Sequence, residues 1–181
     1  MARLRAVEAC ERDLSWVAVH MRAEDRREVY PLRDYSDPVS LSLELMMTPG
    51  IRMCALEGGQ PIAAWGAAHV TSFYWAAWAF GTDRFRRAVP LISWHIREVI
   101  FDVAWETGVQ RVEIRTISDH DIAHRWLESL GCVRECDLPS LGRDGQCYTQ
   151  YAWRRSDYRR KEDWYVPHEQ PEDAQGSAAA A

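Results

Sequence analysis

Hydrophobic positions along this chain switch between an alternating period and a helical one, and each switch marks an element. Leu4 to Val7 alternates as a short edge strand. From Glu11 the period lengthens, and Leu14, Val17 and Met21 fall on one helical face whose N-terminal end carries acidic residues suited to the helix dipole. Ala23 to Tyr30 continues as a short helix broken by Pro31. Asp37-Pro38 supplies a cap and a first-turn proline for a helix to Met47, which Thr48-Pro49-Gly50 ends. Ile51 to Glu57 and Gln60 to Thr71 read as a hairpin, because Gly58-Gly59 gives the positive φ of a tight turn. Phe73 to Phe80 makes the next strand. Thr82-Asp83 caps a basic turn, and a helix runs on to Glu106 with Ile92, Ile96, Val99, Ile100 and Val103 as its buried stripe.

The most sharply patterned stretch runs from Gly108 to Cys132. Val112 to Thr116 alternates as a strand, Ser118-Asp119 is placed to cap a helix over Asp121 to Leu130, and Gly131 stops it. Ile122, Trp126, Leu127 and Leu130 recur at helical spacing, so that face packs on the sheet entered by Val112 and Ile114. With Cys132 to Leu138 as a further strand, the segment is a βαβ-type unit. That strand pairs antiparallel with Gln146 to Trp153 across a loop at Gly142 to Gly145. Residues 1–154 form one domain by this reading. Residues 155–181 form a flexible tail, charged at Arg159 to Asp163 and low in complexity from Glu169, with Trp164-Tyr165 available to anchor a partner.

Composition narrows the class. The chain has 181 residues, 47% of them hydrophobic, enough for one domain with a substantial core. Its net charge of −5 and pI of about 5.7 offer no global basic field, so nucleic acid is not an expected partner. No charged residue occurs in the 25 positions between Glu57 and Asp83, long enough for a membrane span. Gly-Gly, Pro61 and the alternation of alanine with Trp65, Trp75 and Trp78 instead suit strands buried on both faces, so no transmembrane helix is expected in the folded form. Five scattered cysteines and no secretory h-region favour a reducing compartment and a protein that is not secreted. His120, His124, Cys132 and Cys136 lack the C-x-x-C knuckle of structural zinc sites, and no metal is expected.

The run Ala123 to Cys132, A-x-x-W-L-x-x-L-G-C, resembles the box that ends the acyl-CoA-binding core of the GNAT N-acetyltransferase superfamily. Ala123, Leu130 and Gly131 match it, while His120, Leu127 and Cys132 stand where that box carries Asn, Tyr and Phe. The resemblance implies an α/β (α+β) fold: a mixed, mainly antiparallel central sheet of about six or seven strands flanked by helices. The wider layout, including Cys10 to Leu32 and the Gly81-Thr82-Asp83 step, is similar to small GNAT-like proteins of short-tailed bacteriophages, their internal virion protein among them. That likeness implies phage virion or host proteins as partners, and the virion or host cytoplasm as location.

An acetyl-CoA-dependent transferase must hold a pyrophosphate, polarise a thioester and move two protons. GNAT enzymes hold the pyrophosphate on the backbone of a glycine-containing turn at a helix N-terminus. Here that turn is Arg84-Phe85-Arg86-Arg87-Ala88-Val89-Pro90, without glycine, so Arg84, Arg86 and Arg87 with Ala88 are the candidate acyl-CoA contacts. The strand before it has no carboxylate base; His69 is the nearest stand-in, and His120 is placed to help at the splayed strands. Leu127 occupies the general-acid position and has no proton to give, leaving Tyr148 and Tyr151 as substitutes. Turn, base and acid depart together. The expectation is therefore a non-catalytic or weakly catalytic GNAT-fold protein acting by interaction in the virion or its assembly; the alternatives are an acetyl-CoA-dependent N-acetyltransferase acting on an amine and a binding module of another α/β type.

Overall fold

The computed structural model describes residues 3–157. An edge strand, β1 (Leu4–Glu8), leads into α1 (Glu11–Val19), α2 (Ala23–Val29), a 3-10 turn at Tyr30–Leu32 and α3 (Pro38–Met47). Asp37 caps α3, its carboxylate accepting the Ser40 N–H at 2.8 Å, with Pro38 in the first turn. The strands β2 (Gly50–Glu57), β3 (Gln60–Thr71) and β4 (Tyr74–Gly81) come next as two hairpins. After them stand α4 (Phe85–His95), a π turn at Ile96–Ile100 and α5 (Phe101–Glu106). The chain closes with β5 (Arg111–Ile117), α6 (Asp121–Ser129), β6 (Val133–Leu138) and β7 (Tyr148–Arg154). Gly108 and Gly131, just past α5 and α6, have φ of 89° and 79°, values that cost glycine least.

The seven strands lie in the order β1-β2-β3-β4-β5-β7-β6. Every neighbouring pair is antiparallel except β4 and β5. Those two meet in parallel over only three pairs, Tyr74–Arg111, Trp75–Val112 and Ala76–Glu113, and then diverge. The mixed, mainly antiparallel α/β class read from the sequence is the class observed. β7 inserts between β5 and β6, so the βαβ unit crosses over an intervening strand, a placement the local pattern does not contain.

One face of the sheet carries α1 to α3, whose Leu14, Val17, Leu41 and Leu45 pack with Cys54, Leu56 and Phe80. The other carries α4 to α6, with Phe85, Ala88 and Ile92 against Ala55, Ile62 and Trp65, and Phe101, Leu127 and Leu130 against Val112, Tyr151 and Trp153. Trp65 and Trp75 are fully buried, as the small and large alternation requires. Two stripes differ from the periodic reading. The π turn adds a residue to the long helix and rotates the segment after it, so Val103 is exposed and Phe101, Ala104 and Trp105 take its place in the core. Ile122, in the first turn of α6, is also exposed. The cap of α6 is His120, not Ser118 or Asp119: Ser118 bonds Thr149 at 3.2 Å and Asp119 pairs with Arg27 at 2.8 Å. Among the described residues no helix is long and apolar enough to cross a membrane. Residues 155–157 form a 3-10 turn, and the expected tail with Trp164-Tyr165 lies outside the described residues.

Candidate active site at the splayed strands

The divergence of β4 from β5 opens the sheet. At its far end the Gly81 N–H donates to Asp25 at 2.7 Å and the Gly81 carbonyl accepts the Arg22 N–H at 2.9 Å, so α2 closes the mouth. Burial pushes the Asp25 carboxyl upward, and Arg22 at 2.7 Å counters it. Beyond the last bridge, Ala76–Glu113, strand alternation turns the C=O of Ala77 and the N–H and C=O of Ala79 the same way as those of Gly81, into the gap, where β5 no longer pairs with them.

Two cavities meet at this gap. The larger, about 440 Å³, lies toward α2 and α3 and is lined by Glu28, Arg33, Glu44, Tyr74, Trp78 and Glu113 among others. The smaller, about 100 Å³, lies between the starts of α4 and α6, with Arg86, Val89, His120, Ala123 and Trp126 in its walls. Glu28, Ala79 and Ile114 border both. Glu28 therefore stands at the junction. Its Oε2 accepts the Thr116 hydroxyl at 2.9 Å and lies 2.9 Å from His120 Nδ1, and Oε1 has no partner among the described residues. The Glu28 contact raises the His120 pKa above its ordinary value despite partial burial. In the larger cavity Tyr74 donates to Glu113, and burial with that carboxylate pushes the phenol to about 12. Arg115 at 2.9 Å and Arg111 at 3.3 Å hold Glu113, and Arg33 holds Glu44 at 2.9 Å.

The basic turn is disposed differently from the sequence expectation. Arg84 and Arg87 both pair with the buried Glu57 of β2. Three of the turn's N–H groups are spent as well: the Phe85 N–H bonds Thr82 O at 2.8 Å, that of Arg87 bonds Arg84 O at 2.9 Å, and that of Arg84 bonds Thr82 Oγ1 at 3.2 Å. Ala88 is fully buried on the inner face of α4. Of the four candidate contacts only Arg86, exposed, lines the cleft.

The two histidines do not come together. His69 stacks on Trp75 at the paired end of β4, with ring centroids 4.3 Å apart, whereas His120 sits at the splayed end. About five strand residues, or roughly 17 Å, separate these levels. The alternate proton donors are committed too. Tyr148 donates to Glu28 O at 2.7 Å, Tyr151 lies 2.9 Å from His124 Nδ1, and neither lines a described cavity. His124 Nε2 lies 3.2 Å from Ser118 O, so His120 and His124 have separate partners, and no cluster among the described residues suits a metal. Sequence reasoning missed Glu28, Tyr74 and Glu113. Glu28 sits in AEDRREV, where charge reads as a solvated face, and only the contact across 92 residues exposes its role.

No family model and no curated protein sequence matches the chain. Solved structures do. An N-acetyltransferase from Staphylococcus aureus superposes with TM-score 0.65 at 10% identity, over 84% of this chain and 99% of that one. The ribosomal-protein-S5-alanine acetyltransferase of Vibrio fischeri gives 0.59 at 11%, over 88% and 97%. YncA of Salmonella typhimurium, solved with its cofactor acetyl-CoA, gives 0.60 at 12%, over 83% and 93%. At these identities the likeness establishes the fold, that of the GNAT acetyltransferases, and nothing finer.

Proposed function

We propose that this protein transfers an acyl group from a coenzyme A thioester to an amine at the gap between β4 and β5. The observation that carries the reading is Glu28, a carboxylate with one free oxygen at the junction of two cavities. The strand edge beyond the last bridge offers the Ala77 C=O and the Ala79 N–H and C=O to a ligand rich in amides, and Arg86 at the start of α4 offers a guanidinium to phosphate. These features suit a coenzyme A thioester, which would supply the activated acyl group. The N–H groups of Arg84, Phe85 and Arg87, bonded within the turn, do not contribute.

An amine in the larger cavity donates to Glu28 Oε1, and Glu28 with His120 takes up the proton that the nitrogen sheds as it bonds to carbon. His120 must be neutral to share that proton, so transfer increases as pH rises through its raised pKa. Leu127 gives no proton to the departing thiolate; as the conjugate base of a thiol that ionises at about 8.5, it can leave as the anion and take its proton from solvent. Thermal unfolding with free coenzyme A and with acetyl-CoA tests the reading. Ligand at a hundred times its Kd adds about 2.7 kcal/mol and raises the midpoint by several degrees. No shift at millimolar ligand overturns it.

A second reading, a non-catalytic GNAT-fold protein acting through phage virion or host partners, is favoured by the internally bonded turn and by aliphatic Leu127. It predicts no shift with either ligand.

A further inference from the structure

A third cavity of about 30 Å³ lies beneath the cleft, and nothing in the proposed transfer step uses it. Its walls are apolar throughout. Gly66 and Ala67 of β3, Ala77 and Ala79 of β4 and Ile96 and Ile100 of the π turn account for its shape. The small residues remove volume from the two central strands just where β4 and β5 part, and the π turn displaces the helix above them. Four residues, Ala79, Ile114, Trp126 and Leu127, line both this cavity and the cleft beside His120, so the two adjoin across the same side chains.

A water there would find few partners. The indole N–H of Trp65 is spent on His95 at 3.3 Å, that of Trp126 on Ser93 at 2.9 Å and that of Trp153 on the Leu130 carbonyl at 3.1 Å. Leu127 adds another aliphatic wall, buried to 2% exposure. A space of this size accepts about two water-sized groups and, lined by hydrocarbon, favours methylenes over water.

Resting on the transferase reading, we infer that this cavity receives the distal carbons of the donor's acyl group, and that the preferred donor carries propionyl or butyryl and not acetyl. Each methylene buried strengthens binding about fourfold, so butyryl-CoA binds roughly fifteenfold tighter than acetyl-CoA.

Isothermal titration calorimetry of the full chain with free coenzyme A, acetyl-CoA, butyryl-CoA and octanoyl-CoA decides the matter. The expected order places butyryl first, with octanoyl weaker because the cavity ends after about two carbons. Ala67→Val, which adds two methyls to one wall, brings butyryl down to the affinity of acetyl while free coenzyme A binds as before. Should that variant fail to fold, Ile100→Val enlarges the opposite wall and is expected to extend the preferred chain by about one carbon. Equal affinities for acetyl and butyryl, or tighter acetyl binding, overturn the chain-length assignment and leave the transferase reading standing. Failure of free coenzyme A and of every thioester to bind overturns both.

Discussion

Two helix starts face each other across the same cleft and are built in opposite ways. At α4 most of the charge and three N–H groups are consumed locally: Glu57 takes Arg84 and Arg87, and the turn bonds to itself through Thr82 and Arg84. At α6 the capping residue reaches out of its own segment, His120 meeting Glu28 of α2 and leaving one carboxylate oxygen uncommitted. Three arginines in four positions advertise an anion site, yet most of that charge serves the β2–β3 hairpin. Polar groups act on a ligand only when the fold has left them something to give.

Glu28→Gln tests the contrast most severely. On the transferase reading, removing this carboxylate should reduce acyl transfer by about 10²–10⁴-fold, measured as thiol release with a panel of small primary amines, while the folded state persists. A rate within a few-fold of wild type would remove Glu28 from the chemistry. Next in size, Arg84→Ala with Arg87→Ala leaves the 1%-exposed Glu57 side chain without a counter-ion. That should cost about 3–5 kcal/mol by urea unfolding, and an unchanged midpoint would mean that Glu57 does not lock the turn. Arg86→Ala should do the reverse: stability within about 0.5 kcal/mol of wild type, with coenzyme A binding weakened about tenfold by calorimetry. If the losses in binding and stability exchanged places between these variants, the two helix starts would have been assigned the wrong way round.

The smallest effect concerns pH. The folded-state pKa of His120 is raised, so its pairing with Glu28 contributes fully below the unfolded value of about 6.5 and is lost as pH rises through the folded value. Urea midpoints from pH 6 to 8 should therefore fall more for the native protein than for His120→Asn. Parallel curves would show that the pair contributes no stability.

Most of the strands and helices were legible because their signals are local. Gly58-Gly59 fixes the hairpin, Asp37-Pro38 opens α3, and Gly108 and Gly131 close the helices before them. What escaped depends on partners far along the chain. No periodicity shows that β7 slips between β5 and β6, or that five residues from Ile96 form a π turn that rotates Val103 out of the core. The site obeys the same division. His120 was visible because it stands where the resembled box carries Asn, whereas Glu28 hides in a charged segment. Arg84 and Arg87 were assigned to a ligand because Glu57, across the hairpin, gives no sign in sequence that it will take them.

The three-pair join between β4 and β5 also divides the chain in two. Everything up to Gly81 is a four-stranded meander with three helices on one face, built from neighbours in sequence, while its other face, at Ala55, Ile62 and Trp65, is covered only by the later α4. The later half joins it through few main-chain bonds at the seam and through the side chains of α4 on that face. In the mature protein, amide exchange should show these halves as two cooperative units, with the slowest protons in β2 and β3 and the earliest opening along the seam.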